Sequence, residues 1–197
     1  MKFLWCDIET TGLETSNAKP FQIAFIFVYS SKDKDKIQKA ETERIYYLNP
    51  YGIPGIEHSL EAEKIHGYSK EKIESFTPAK EVVSIIKKDL EDFCRFTENE
   101  KLIFCGYNCN FDYEHLKSLF SVFEEDFSIY FQDKLDVFEQ VKRASEKKIL
   151  PYLPNRKLTT VADYLNIDLS QAHDALADIK ATREVAKSLT QKGIKLF

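Results

Sequence analysis

The stretch that decides the fold stands at the start of the chain, where residues 2–13 read KFLWCDIETTGL. Side chains alternate between the two faces of a β-strand, so Asp7 and Glu9 share one face. Both faces are apolar up to Asp7, and such a strand is normally central and covered on both sides. Carboxylates near a desolvating core are usually paired or bound to metal. No Lys or Arg follows Lys2 in this stretch, so a divalent cation is the natural partner.

Length and composition favour one folded domain. A chain of 197 residues suits a single domain with a substantial core, and we expect that domain to span residues 1–197. The hydrophobic fraction of 43% and the fifteen Phe exclude low-complexity disorder. The net charge of -4 does not favour nucleic-acid binding by the surface as a whole. Metal-binding carboxylates contribute to that charge, however, and bound ions would offset them.

Targeting features and cysteine spacing suggest a cytoplasmic protein. The sequence holds no run of about 18 apolar residues, and its first residues read as a strand rather than as a signal peptide. We therefore expect a soluble, intracellular protein with no membrane partner. Its cysteines, at positions 6, 94, 105 and 109, lack CxxC spacing, which favours buried reduced thiols over zinc or a disulfide.

Apolar runs predict the strands of one mixed sheet. After the first strand, residues 21–29 (FQIAFIFVY) and 43–48 (ERIYYL) form an antiparallel meander with it, and the charged residues 30–40 form an exposed hairpin tip. Residues 102–106 (LIFCG) predict a short buried strand, and residues 129–132 a weaker one.

Helical periodicity and capping residues predict the remaining elements. The predicted helices are 59–65, 69–73, 79–96, one beginning near Asp112, one beginning at Asp136, 159–165 and 174–192. Asp136 with Glu139 has the capping-box spacing, which makes Asp136 an N-cap, and Pro151 and Pro154 are expected to end that helix. Three antiparallel strands followed by alternating strands and helices indicate an α/β fold with a mixed sheet flanked by helices.

The last helix carries a carboxylate where apolar side chains belong. Asp178 lies on the same face as Ala175, Thr182 and Val185, the face that should pack on the sheet. His173 is five residues earlier, about 140° away if both residues were helical. The two side chains can converge if His173 lies in the loop before the helix. Asp174 is a good N-cap, which puts the start of the helix where this geometry requires it.

Asp112 repeats this pattern in the first turn of its own helix, one turn before Leu116. Four carboxylates thus come from core-facing positions on three separate elements: Asp7, Glu9, Asp112 and Asp178. Hard oxygen ligands of this kind suit Mg²⁺ or Mn²⁺, and a neighbouring histidine suits general-base catalysis near neutral pH.

Three motifs make a resemblance specific. Residues 7–13 (DIETTGL), Asn108-x-x-Phe111-Asp112, and His173-x-Ala175-x-x-Asp178 with Ala181-Thr182 resemble the motifs of the DnaQ-like (DEDDh) 3′-5′ exonucleases in order and separation. Together they extend from residue 7 to residue 182. The resemblance implies an RNase H-like fold with a central five-stranded sheet. The histidine before the last aspartate indicates the histidine branch of that superfamily.

The same resemblance implies a two-metal mechanism. Asp7, Glu9 and Asp178 would hold the first ion, and Asp7 would bridge to the second, which Asp112 supports. The ions would lie about 3.5 to 4 Å apart, and His173 would take the proton of the attacking water. Cleavage of the terminal phosphodiester would release a nucleoside 5′-monophosphate and shorten the strand from its 3′ end.

Substrate contacts are also implied by the resemblance, which gives five candidates: Thr10, Leu13, His66, Asn108 and Phe111. Leu13 and Phe111 would stack or wedge against bases in a sequence-tolerant way, since every base has a π-face. For His66 and Phe111 packing within a loop is the open alternative. His58 and His115 match no motif, and we interpret both as surface residues.

Several functions and partners stay open at this point. A 3′-5′ exonuclease on single-stranded or frayed DNA, acting alone or as the proofreading component of a polymerase, is favoured by Thr10; RNA trimming is the alternative within the family. A nucleic-acid-binding module that has lost catalysis is a further alternative, against which the complete motif set argues. The C-terminal GIKLF (193–197) weakly resembles peptides that dock on sliding clamps, or it packs as a terminal segment.

A basic region is the last feature of the sequence. Its six cations are Lys142, Arg143, Lys147, Lys148, Arg156 and Lys157. They either follow a phosphate backbone or form a solvated face.

Overall fold

The computed structural model describes residues 2–30, 39–96 and 101–195. Residues 31–38, which form most of the predicted charged hairpin tip, lie outside this part of the chain. The elements are, in chain order, β1 (Lys2–Thr10), β2 (Pro20–Ser30), β3 (Lys39–Asn49), α1 (Leu60–His66), α2 (Lys70–Glu74), β4 (Thr77–Pro78), α3 (Ala79–Phe96), β5 (Leu102–Gly106), α4 (Asn110–Val122), β6 (Phe131–Asp136), α5 (Val137–Glu146), α6 (Leu158–Tyr164) and α7 (Ala175–Gln191).

These strands form one mixed sheet with the order β4-β3-β2-β1-β5-β6. β1 pairs antiparallel with β2, Asp7 lying opposite Ala24 and Glu9 opposite Gln22, and β2 pairs antiparallel with β3. β5 and β6 then continue the sheet parallel to β1. The meander and the α/β class are confirmed, and β1 is central. The carboxyl ends of β1, β5 and β6 therefore meet at the same edge of the sheet.

The sheet has six described strands, whereas five were expected. The additional strand, β4, consists of two exposed residues that pair parallel with the end of β3. Two residues are too few to carry an alternating pattern, and one of them is Pro78, a residue confined to edge or terminal positions in sheets. The extra strand lies at the sheet edge opposite β6 and does not change the arrangement around β1.

Two element boundaries differ from the sequence prediction. The strand expected at residues 129–132 is β6, which begins at Phe131; a 3₁₀ turn at Phe127–Tyr130 precedes it. Only two of the six residues of β6 are buried, as is common in an edge strand, so its apolar signal is weak. The helix expected to run to Pro151 ends at Glu146, because Lys148 adopts a left-handed φ of 57° and Ile149 and Leu150 donate back to the carbonyl of Ala144.

Helices cover both faces of the sheet, as the strand pattern requires. Leu4, Cys6 and Ile8 pack on one side with α3 and α4, while Trp5 packs on the other with α5, α6 and α7. Cys6, Cys105 and Cys109 are free and buried, as expected, whereas Cys94 is free and only partly buried. Among the described helices none has the length and apolar composition needed to cross a membrane. The cytoplasmic location stays a prediction.

Gly106 is the point where β5 comes closest to β1 before the chain turns into α4. A Cβ at this position would lie 2.9 Å from the carbonyl oxygen of Cys6 and 3.0 Å from the Cβ of Cys109. Neither atom belongs to a flexible side-chain end, so a larger residue must displace backbone. The close approach keeps the β5–α4 turn against β1, near Asp7.

We expect Gly106→Ala to lower the free energy of unfolding by about 1–3 kcal/mol, because it overpacks a rigid contact. The matched control is Gly52→Ala, where a Cβ meets nothing within 4 Å. That control should leave stability unchanged or raise it slightly. Urea unfolding followed by circular dichroism measures both. Equal stability of the two variants would show that β5 does not depend on the small residue.

Candidate active site

The site begins where β1 runs past the end of its parallel neighbour β5. The pairing of these strands extends only from Phe3 to Trp5 of β1, so Asp7 and Glu9 lie beyond it. Both project from the face that α7 covers. The pairing with β2 shifts register between Glu9 and Thr10, and the chain then turns away. Two partly buried carboxylates therefore face the start of the last helix.

α7 and the loop before it bring two further candidate residues, Asp178 and His173, to this face. Asp174 caps the helix by accepting from the backbone N–H groups of Leu176 and Ala177, both at 3.1 Å. His173 lies in the loop before it, as expected, with a left-handed φ of 71° and an exposed side chain. Its backbone N–H donates to Asp178 Oδ2 at 3.3 Å. The turn thus orients Asp178 and leaves the His173 imidazole at the edge of the site.

Gln22 fixes the start of α7 beside Glu9, and sequence analysis did not single it out. Its Nε2 donates to Asp174 Oδ2 at 2.8 Å, and its Oε1 accepts from the Ala175 N–H at 3.3 Å. The side chain is fully buried on β2, opposite Glu9. A glutamine inside the apolar run 21–29 was the available signal, because a buried amide needs partners.

Asp112 reaches the cluster from the other side of the sheet. It lies in the first turn of α4 and is 4% exposed. Burial raises its pKa well above the ordinary range, and the backbone amides of Asp112 and Ile8 oppose that rise. Among the neighbouring charged groups, Asp112 raises the pKa of Asp7 the most. Asp112 is therefore close to Asp7 although the two belong to different layers.

Burial and crowding of like charges raise the carboxyl pKa values of the site, and burial is the larger effect. Burial raises the pKa of Asp7 well above its usual value, and Asp112, Asp178 and Glu9 raise it further. Burial, followed by Asp178 and Asp112, raises the pKa of Glu9 to about 8. Burial raises the pKa of Asp178 to about 6, against the opposing effect of the His173 backbone N–H. Neighbouring carboxylates thus raise the pKa values of Asp7 and Glu9, while the His173 charge lowers that of Asp178.

The donor set suits a divalent cation. Glu9, His173 and Asp178 each offer one ligand atom, and these atoms lie within 4.8 Å of one another. Asp178 Oδ1 is buried and has no hydrogen-bond partner in the described structure, so it is an orphaned acceptor facing the cluster. Carboxylate oxygens are the ligands that Mg²⁺ and Mn²⁺ prefer. A bound ion would supply the positive charge that the protein does not.

Three predicted substrate contacts flank the cluster on the side of α4. Leu13 is 79% exposed, although it is apolar, and its carbonyl accepts from His115 Nε2 at 3.0 Å. The Phe111 and His115 rings are 4.4 Å apart. The interpretation of His115 as a surface residue is wrong: it is 1% exposed and connects α4 to the turn after β1. Asn108 is exposed with a left-handed φ of 57°.

His66 and Thr10 are buried at the other side of the turn. His66 Nδ1 accepts from the Tyr68 N–H at 3.0 Å, and its ring packs edge-on against Phe21 at 4.6 Å. Burial lowers its pKa to about 4, so the ring is neutral and carries its proton on Nε2, which has no partner among the described residues. The Thr10 hydroxyl donates to the Gly12 carbonyl at 2.6 Å, within the turn. Their substrate roles stay predictions.

His58 was also interpreted as a surface residue, and this is wrong as well. Its side chain is 11% exposed. Nδ1 lies 2.6 Å from the Tyr51 hydroxyl and Nε2 lies 2.5 Å from Glu63 Oε2. These bonds tie the irregular segment after β3 to α1, the helix that ends at His66. Short-range spacing gave no sign of this three-residue chain.

The fold and this acidic cluster define a nuclease-like domain, and comparison with known families identifies it. The Exonuclease family (RNase T) matches residues 4–186. The chain belongs to this family, which confirms the DnaQ-like assignment made from the three motifs.

Two DNA polymerases of the PolC type are similar to this chain. The enzyme of Caldanaerobacter subterraneus subsp. tengcongensis is 25% identical over 191 residues, which cover 97% of this chain and 12% of the relative. The enzyme of Oceanobacillus iheyensis is 25% identical over 192 residues, which cover 96% of this chain and 11% of that relative. The chain thus spans about a tenth of the length of these relatives.

Solved structures of Escherichia coli exonuclease I share the fold. The zinc-bound form of its complex with single-stranded DNA superposes with a TM-score of 0.79 at 21% identity, over 100% of this chain and 42% of that one. Its complex with a dT13 oligonucleotide superposes with a TM-score of 0.76 at 20% identity, over 98% of this chain and 41% of that one. The RNase H-like architecture is confirmed by this likeness.

The raised carboxyl pKa values predict an unusual pH dependence of metal-free stability. Unfolded Asp and Glu titrate at about 3.9 and about 4.3. With folded pKa values of about 6 for Asp178 and about 8 for Glu9, the folded state holds protons that the unfolded chain has released. The free energy of unfolding therefore falls as pH rises across this range. In EDTA we expect Tm to fall as pH rises from about 5.5 to about 8.5, by about 2–4 °C for each kcal/mol lost from the free energy of unfolding.

Mg²⁺ or Mn²⁺ should reverse this loss, and more strongly at the higher pH, because the cation competes with protons. Asp7→Asn is the control, since it removes one repelling charge with little change in shape. In EDTA at pH 8.5 it should melt above the unsubstituted protein and gain less from the cation. A Tm that rises with pH in EDTA would refute the crowded-carboxylate account. Scanning calorimetry gives all these values.

Proposed function

We propose that this chain is a divalent-metal-dependent 3′-5′ exonuclease that hydrolyses the terminal phosphodiester of single-stranded or frayed DNA and releases nucleoside 5′-monophosphates. The observation that carries the proposal is the grouping of Glu9, His173 and Asp178 within 4.8 Å, with Asp7 and Asp112 beside them. Membership of the exonuclease family supports the reaction type. The 3′-5′ direction and the use of two ions rest on the motif resemblance.

The residues that would hold Mg²⁺ or Mn²⁺ are Asp7, Glu9, Asp112 and Asp178. A bound cation in this cluster lowers the pKa of a coordinated water and stabilises the charge that develops on the leaving 3′ oxygen. The chain supplies the positioning. The His173 N–H occupies Asp178 Oδ2, which leaves the orphaned Oδ1 as the atom available to a ligand.

His173 is the proposed general base. Its exposed imidazole lies at the rim of the cluster, where a ring nitrogen can accept the proton of the attacking water. The left-handed backbone at this residue and the Asp174 cap fix the loop that carries the ring. General-base catalysis typically contributes about 10²–10⁴-fold to a rate.

Seating of the last nucleotide is proposed for the residues around the turn after β1. The exposed Leu13 is an apolar wedge, and the partly buried Phe111 offers a ring to a base. His66 carries an unpaired Nε2–H that suits a phosphate or sugar oxygen. Asn108 has an exposed side-chain amide for the same purpose, and Thr10 holds the turn.

A proofreading role is proposed from the PolC-type relatives, whose polymerases contain a segment similar to this chain. Exonuclease I structures with single-stranded DNA support DNA over RNA as the nucleic acid. The sliding-clamp partner has no such support. Ile194 of the segment at issue is 2% exposed and packs with Leu189, while Leu196 and Phe197 lie outside the described residues.

Activity of the predicted residues can be measured on an oligonucleotide labelled at its 5′ end. With Mg²⁺ or Mn²⁺ we expect stepwise shortening from the 3′ end, and EDTA should abolish it. Asp7→Ala should lower kcat by more than about 10³-fold, and His173→Ala by about 10²–10⁴-fold. Asp163→Ala, which removes an exposed carboxylate of α6, is the matched control and should keep full activity.

Circular dichroism should give the same folded spectrum for all three variants. Shortening that continues in EDTA, or full activity of Asp7→Ala, would eliminate the mechanism. A chain that binds the oligonucleotide without shortening it under any metal would instead support the non-catalytic binding module.

The choice of nucleic acid is a separate prediction. We expect kcat/KM to be highest for a single-stranded DNA 12-mer, lower for the matched blunt duplex, because a terminal pair must open first, and lower again for the RNA 12-mer. A duplex with two mismatched pairs at its 3′ end should approach the single strand. A clear preference for RNA would instead support RNA trimming as the function, with the same residues in the same roles.

A further inference from the structure

A groove lies beside the turn between β5 and α4, and three of the six cations of the basic region line it: Lys148, Arg156 and Lys157. One wall consists of Tyr107, Asn108 and Phe138, and the other of the loop 150–158. Its volume is about 1140 Å³. Small-molecule sites have volumes of about 300–1,000 Å³. The groove therefore suits an extended ligand better than a compact one.

The groove adjoins the turn between β5 and α4, the helix that carries Asp112. Asn108 forms part of its wall, and its carbonyl accepts from Phe111 in the turn that leads to Asp112. Asp136 joins the two regions, because its Oδ1 accepts from the N–H groups of Asn108 at 2.8 Å and Phe138 at 2.9 Å. The wall of the groove and the turn that leads to Asp112 are thus joined by hydrogen bonds to one carboxylate.

The loop wall is held in place although it has no secondary structure. The Tyr107 hydroxyl donates to the Arg156 carbonyl at 2.5 Å, across the groove. Asn155 Oδ1 accepts from the Lys157 N–H at 2.9 Å and the Thr160 hydroxyl at 2.7 Å, which fastens the loop to α6. Leu150 is 2% exposed and packs in the core below. The groove is consequently a preformed feature.

Tyr152 stands out from this wall. It is 95% exposed, the highest value among the exposed large hydrophobic residues of the described chain. Pro151 and Pro154 flank it and restrict its backbone, and Leu150 anchors the segment. An aromatic ring held in solvent on a stiff segment loses little entropy when a base stacks on it.

Cations along the groove lack partners. Some cations on other faces form ion pairs, for example Lys87 with Glu125 and Arg183 with Glu41. Within the described residues no ion pair involves Lys148, Arg156 or Lys157, and the groove contains a single carboxylate, Glu146. Three unpaired cations on a chain of net charge -4 are complementary to a polyanion.

We propose that this groove binds the single strand 5′ of the scissile phosphate, with Arg156 and Lys157 on successive phosphates and an unpaired base stacked on Tyr152. The inference rests on the proposed nuclease function for its substrate class. It extends that function from the terminal nucleotide to several upstream nucleotides. A duplex end would have to open before a base could reach Tyr152, which favours single-stranded substrates.

The test compares a dT12 oligomer with a dT2 dinucleotide. Binding is measured by fluorescence anisotropy on a phosphorothioate dT12, which resists cleavage. Turnover is measured on the natural dT12 and dT2. We expect Tyr152→Ala to weaken dT12 binding by about tenfold, the effect of losing one stacked base. The ratio of kcat/KM for dT12 over dT2 should fall by about the same factor.

The double variant Arg156→Gln/Lys157→Gln tests the phosphate contacts. Each phosphate contact on a single strand contributes about -0.7 to the slope of log Kobs against log salt concentration, so the slope should become shallower by about 1.4. The matched control is Lys80→Gln/Lys88→Gln. These two exposed lysines lie on α3, on the opposite side of the sheet, and the same charge change there should leave the slope unaltered.

The outcomes distinguish a failure of the groove proposal from a failure of the proposed nuclease function. Equal losses on dT2 and dT12, an unchanged salt slope, or an effect as large in the α3 control would overturn the groove proposal. If the unsubstituted protein binds phosphorothioate dT12 and the groove variants weaken that binding, but neither natural substrate is cleaved, the groove stands and the nuclease function fails. Thermal unfolding of each variant identifies any loss that comes from misfolding.

Discussion

Repulsion among the carboxylates at the end of β1 is the constraint that the rest of the site must satisfy. Burial raises the pKa values of Asp7, Glu9, Asp112 and Asp178, and the other carboxylates of the cluster raise those of Asp7 and Glu9 further. Each acid is therefore held where its surroundings disfavour its charged form. The central strand fixes two of them. The other two lie in the first turns of α4 and α7. Asp112 accepts from the backbone N–H of Ile8, and α7 is held by further contacts outside these four acids.

The fastening of α7 illustrates how this is done. Its first turn is capped by Asp174, and the fully buried Gln22 bonds both Asp174 and the Ala175 N–H. The helix then packs through Ile179, Val185 and Leu189 against the sheet. Hydrophobic burial of about 1.5–3 kcal/mol for each such side chain offsets the cost of placing Asp178 beside Glu9. Stability is supplied by the core so that the site can remain strained without its metal.

The sequence predicted the parts of this arrangement that depend on local pattern. Alternation in β1 gave the faces of Asp7 and Glu9, and the interrupted stripe of α7 together with the capping position of Asp174 gave the loop position of His173. Gln22 and His115 were missed because their partners lie far along the chain, at Asp174 and Leu13. The edge strand β4 was missed because two exposed residues carry no periodicity. What the sequence left out is therefore long-range pairing of single polar groups.

Such pairing also explains why the catalytic cluster and the basic groove form one surface. Asp136 reads as an ordinary N-cap, and it does accept from the N–H of Phe138. The same oxygen accepts from the N–H of Asn108, in the turn that leads to Asp112. One carboxylate thus sets the start of α5, which forms a wall of the groove, against the turn that carries a metal-ligand candidate. Any movement that shifted the groove relative to Asp112 would have to break this shared bond. Under the proposed function, a strand bound along the groove would therefore be held in register with the carboxylate cluster.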